Sequence, residues 1–142
     1  MGRLCFVFNN PSRWWDRFGA NAITIGPFTF CIPGTTTSEV ERNSERLHEA
    51  QHRADWLSGL PGWKKEQRAF AAEIPYLQKT VSDLNDLLPH VDPNHPVYSL
   101  LRHELDEAIA ELAVADGMVT SDDTAKDYWN DTGRRWYQKP VQ

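Results

Sequence analysis

Residues 38–57 read SEVERNSERLHEAQHRADWL, and the fold is decided by how this stretch is interpreted. Ser38 followed by Glu41 forms a capping box, in which each side chain satisfies a free backbone N–H in the other's turn, so a helix starts there. Leu47, Ala50, Ala54 and Leu57 then recur at helical spacing as an apolar stripe, which carries the helix to about Leu57. Ser58-Gly59 and Leu60-Pro61-Gly62 supply the stop.

Moving outward toward the C-terminus, Trp63, Phe70, Ile74, Leu77, Val81, Leu84 and Leu88 make a heptad-like series that ends at Pro89 and predicts a second helix. Pro75 should kink or split it. Val97, Leu101, Leu105, Ala108 and Leu112 predict a third helix from Pro96 to Asp116, with Pro96 suited to its first turn and Gly117 to its end. The second and third helices should pack antiparallel, and a short helix over about 121–130 should precede the tail GRRWYQKPVQ. Toward the N-terminus, Leu4 to Phe8 is apolar and rich in strand formers, and Ala22 to Ile32 holds two such runs around Gly26-Pro27, which predicts a hairpin. The expected class is α+β: an N-terminal β-hairpin or small sheet over 1–35, a motif helix over 38–58, a helical hairpin over 63–117, and a short helix and tail over 118–142.

The chain has 142 residues, which suits a single domain. A net charge of −5 with mixed acids and bases offers no broad basic surface, which argues against nucleic acid as a partner. The start, MGRLCFVFNN, has too short an apolar run for a signal peptide, and no stretch approaches the roughly 20 residues of a membrane span. A cytoplasmic or virion-associated protein is the expectation. Cys5 and Cys31 are too few for a disulfide scaffold or a four-cysteine metal site and read as buried thiols. Trp14 and Trp15, in a loop with Pro11, read as cover for the core or as a docking surface.

Chemistry concentrates in His48-Glu49-Ala50-Gln51-His52. Histidines four residues apart on a helix project from nearly the same face and can converge on one cation. Glu49 lies on the adjoining face, where it can reach a water held in the cation's open position and act as a general base. A third ligand is needed, and the candidates are Asp55, Glu66, Glu73, His90, His95 and His103. Asp55 lies some 10 Å along the axis from His48, at about 1.5 Å per residue, beyond the reach of one ion; it can instead orient an imidazole. Glu66 falls three residues after Trp63 and four before Phe70, on the inward edge of the second helix, and Glu73 shares that face one heptad later. Glu66 ranks ahead because it is nearer the turn. Arg102, His103, Glu104 and Glu107 read as a solvated face, with His103 an outside candidate for stabilising an oxyanion. His90 and His95 belong to a proline-rich turn.

Residues from about 20 to 75 resemble the minimal core of a small gluzincin-like HExxH zinc metallopeptidase of the bacterial or bacteriophage type. Glu66-Gln67-Arg68-Ala69 resembles the E-x-x-A that follows HExxH in that family. The resemblance implies Zn2+ held by His48, His52 and Glu66, with Glu49 as general base for peptide-bond hydrolysis, and a strand pair bordering the cleft to bind a peptide or protein substrate. It covers under half the chain, and no separate substrate-binding domain or transition-state-stabilising histidine or tyrosine is identifiable. The alternative is a non-enzymatic assembly protein, such as a virion component with a protein partner, in which the same zinc pins two helices together.

Overall fold

The computed structural model of the protein describes residues 38–133. Ahead of them lies the backbone of four short extended segments, Phe6–Val7, Ser12–Arg13, Ala22–Ile25 and Phe28–Cys31, in which the first pairs antiparallel with the fourth, the second with the third, and the third with the fourth. Cys5, Trp14, Trp15, the Cys31 side chain and the tail from Arg134 lie outside the described residues. Of residues 38–133, 85% are helical and none is in a strand. The expected α+β, zincin-like class is therefore corrected: the body that carries HEAQH is a helical bundle, and among the described residues its core is supplied by helices alone.

Four helices build it: α1 (Glu39–Ala54), α2 (Gly62–Leu87), α3 (Pro96–Thr120) and α4 (Asp122–Tyr128). Helix α1 starts where the capping box places it, because Ser38 Oγ accepts from the Glu41 backbone N–H at 3.1 Å. It ends at Ala54, earlier than expected, and Gly59 turns the chain with φ +78°, a left-handed value that glycine adopts at no steric cost. Gly62 opens α2 directly beneath the Trp129 indole, where a Cβ would collide with the ring.

Helix α2 runs unbroken through Pro75, so the chain is not split there. Pro75 and Ala71 both lie on the exposed side of the helix, where solvent is available to the carbonyl that the missing N–H would have met. Helix α3 likewise continues past Gly117 to Thr120. Met118 in the added turn is 2% exposed and packs with Phe70, Ala115, Ala125 and Tyr128, and this burial outweighs the cost of about 1 kcal/mol for a helical glycine. Ser121 then caps α4 by accepting from the Thr124 N–H at 3.1 Å. Phe70 meets Ala115 and Met118 while Leu77 meets Ala108, so α2 and α3 are antiparallel, as expected.

The inner face of α1 is not the apolar stripe read from its sequence. Leu57 is 88% exposed, and the buried residues are Val40, Ser44, Glu45, His48, Glu49 and His52. Helix α1 thus turns its histidines and two acids into the bundle against α2. His52 lies beside Glu66 and Asn43 bonds the Tyr76 hydroxyl at 3.1 Å, which makes this pair antiparallel too.

Glu104, expected on a solvated face, anchors α1 to α3. Its carboxylate accepts from Ser38 Oγ at 3.0 Å, the Glu39 N–H at 3.1 Å and the Val40 N–H at 2.9 Å. Free N–H groups and the positive end of the helix dipole favour an anion there. Glu104→Ala should therefore lower unfolding free energy by about 2 kcal/mol, the range of a lost cap with charge-assisted bonds. Urea titration checks this, and an unchanged midpoint would show that water replaces the carboxylate at no cost.

Candidate metal centre

The α1 residues Glu45, His48, Glu49 and His52 stand at positions i, i+3, i+4 and i+7, one face of a helix. Opposite them α2 presents Glu66 and Glu73, one heptad apart. His48, His52 and Glu66 are fully buried, and Glu49 and Glu73 nearly so. Such groups are costly in an apolar interior unless they are paired or bind a metal.

His48 Nε2 lies 3.2 Å from Glu66 Oε1, and His52 Nε2 lies 3.1 Å from Glu66 Oε2, so both imidazoles aim the same nitrogen at one carboxylate. The other nitrogen of His48, Nδ1, lies 2.7 Å from Glu73 Oε2. The rings of His48 and His52 are 4.8 Å apart and nearly perpendicular, and the Phe70 ring packs edge-on against His48 at 4.6 Å. Although within ion-pair range of Glu66, His52 makes no hydrogen bond of good geometry through either ring nitrogen. Ligand atoms of His48, Glu49 and His52 lie within 4.8 Å of one another, and this buried His–Glu–His group could hold a metal ion.

The remaining candidates separate clearly. Asp55, excluded as a ligand by its distance along the helix, was expected to orient an imidazole instead. Its bonds go to Arg68 Nε at 2.8 Å and Gln51 Nε2 at 3.2 Å, so it ties the end of α1 to α2. Burial alone would raise its pKa, but the hydrogen bonds from Arg68 and Gln51, with the Arg68 charge, outweigh that and hold it below its ordinary value. Burial lowers the pKa of Arg53, and Glu49 pulls it back up, which places a positive charge within the field of Glu49. His95 caps α3 by accepting from the Val97 N–H at 3.1 Å, and His90 and His103 are exposed. The sequence reading missed Glu45, which the i−3 spacing to His48 could have flagged.

Compared with known protein families, with curated proteins and with solved structures, the chain matches none. Among the described residues no helix is long and apolar enough to cross a membrane.

Proposed function

We propose that this protein binds one zinc ion through His48 Nε2, His52 Nε2 and a Glu66 oxygen, and that the ion clamps α1 to α2. The spacing of the donor atoms carries this reading. In a tetrahedral zinc shell with bonds of about 2.0–2.1 Å, neighbouring ligand atoms stand about 3.3 Å apart. His48 Nε2 lies 3.2 Å from Glu66 Oε1 and His52 Nε2 lies 3.1 Å from Glu66 Oε2, so each imidazole meets a different oxygen of the one carboxylate at about that separation. Two neutral imidazoles and a carboxylate suit zinc among the biological divalent cations. The three ligands come from both helices and are fully buried, which suits an ion that joins α1 to α2.

Hydrolysis is the second reading, and the position of Glu49 favours it: its carboxylate lies within 4.8 Å of both histidines without being one of the nitrogen donors. A bound zinc would supply a Lewis acid and a water of lowered pKa. The chain's part would be for Glu49 to take the proton from that water and pass it to the leaving amine of a peptide.

Metal analysis of purified protein together with a Glu49→Gln variant tests both readings. About one zinc per chain is expected in each, and protein with no affinity for zinc would refute the proposal. Under the hydrolytic reading, the variant keeps its zinc and any peptidase activity falls at least about 100-fold, as for loss of a general base. Under the clamp reading, neither form cleaves a broad peptide library.

A further inference from the structure

Glu73 shares a helix face with Glu66, yet the two carboxylates meet different atoms. Glu66 spans the Nε2 atoms of both histidines, whereas Glu73 Oε2 meets His48 at Nδ1, 2.7 Å away. The two nitrogens of an imidazole point away from each other, so Glu73 lies on the far side of the ring from the point where the Nε2 atoms converge. A neutral imidazole that offers Nε2 to a cation must carry its proton on Nδ1. Glu73 Oε2 is placed to accept that proton.

We infer that Glu73 is a positioning residue for the metal centre: it fixes the tautomer and orientation of His48 and raises the basicity of its Nε2. The inference rests on the metal reading given above. Three observations support it. The bond is short and wholly buried, with the His48 side chain 0% and that of Glu73 2% exposed. The Phe70 ring lies nearly perpendicular to the same imidazole at 4.6 Å, so Glu73 and Phe70 both constrain the His48 ring. Glu73 Oε1 is buried without a hydrogen bond among the described residues, so the carboxylate occupies this place at a cost that its bond to His48 must offset. A carboxylate behind a metal-bound histidine typically changes metal affinity 10- to 100-fold on removal.

The test compares the full chain with its Glu73→Gln, Glu73→Ala and Glu66→Gln variants, loaded with Co2+ and titrated with Zn2+. Glutamine keeps an oxygen able to accept from Nδ1–H and loses the charge; alanine loses both. Glu73→Gln is expected to bind one Co2+ with the visible spectrum of the parent, because the donor atoms are unchanged, but with Zn2+ affinity weakened on the order of 10-fold. Glu73→Ala should weaken it further, towards 100-fold, and the histidine Nδ1–H resonance assigned to His48 in the zinc form should shift in both. Glu66→Gln should change the Co2+ spectrum itself. A Glu73→Gln spectrum with altered bands would make Glu73 a ligand and overturn the inference, as would unchanged affinity in both Glu73 variants. A parent chain that binds neither Co2+ nor Zn2+ would remove the metal reading on which the inference stands.

Discussion

Removing the metal is expected to lower the melting temperature by roughly 15–30 °C, and His52→Ala is expected to reproduce that loss in a form no longer sensitive to chelator. The magnitude follows from linkage. An ion held at about 1,000 times its dissociation constant stabilises the folded state by about 4 kcal/mol, and each kcal/mol moves the midpoint of a domain of roughly 100 residues by about 4–8 °C. His52 is the instructive position because both of its ring nitrogens lack well-formed hydrogen bonds while the ring is fully buried. Without an ion, the His52 ring is poorly compensated in a low-dielectric interior. Thermal unfolding of the parent and the variant, each with and without EDTA, gives four midpoints. Three should coincide and the zinc-loaded parent should stand apart. If EDTA leaves the parent midpoint in place, the ion clamps nothing, and an effect of His52→Ala would then reflect lost packing alone.

The sequence made parts of this arrangement legible for physical reasons that can be named. Ser38 and the histidine pair were readable because capping and the i, i+4 relation are local: they depend on one helix and on no partner. The antiparallel α2–α3 hairpin was readable because Phe70, Leu77, Leu105 and Ala108 repeat at helical spacing and are buried as that spacing requires. What failed was the choice of the inward face of α1. Leu47, Ala50, Ala54 and Leu57 form the more apolar stripe, yet Ala54 and Leu57 are exposed and the polar face is buried. Periodicity locates faces but assigns the apolar one to the interior, and that rule inverts where a second helix brings acids such as Glu66 and Glu73 to meet histidines. Glu104 was misread for a related reason. On its own helix it belongs to a charged run, and its role as a cap depends on Ser38, 66 residues away. The packing of α1 depends on the same kind of long-range contact: apart from Val40 against Leu77 and Ala108, it closes on α2 and α3 through polar groups that carry no hydropathy signal.

Phe70→Ala is expected to cost about 3–5 kcal/mol of unfolding free energy, the usual range for deleting a buried phenylalanine, and also to weaken zinc binding although the residue offers no ligand atom. Phe70 is 0% exposed and joins two environments that are otherwise separate. On one side it meets Tyr128 edge to face at 5.3 Å within the cluster of Ala115, Met118 and Ala125; on the other its ring abuts His48 at 4.6 Å. Its loss therefore opens a cavity in the apolar core and frees the His48 ring to tilt, which relaxes the geometry that Glu73 and Glu66 otherwise fix. Phe70→Leu separates the two effects, because it refills most of the volume without restoring the flat edge against the imidazole. Most of the stability should return in this variant, while zinc affinity stays below that of the parent. Denaturant titration of the chelated forms, paired with zinc competition assays on the loaded ones, reads the two quantities independently. Parent-like affinity in Phe70→Leu would show that Glu73 alone is enough to hold His48 in place.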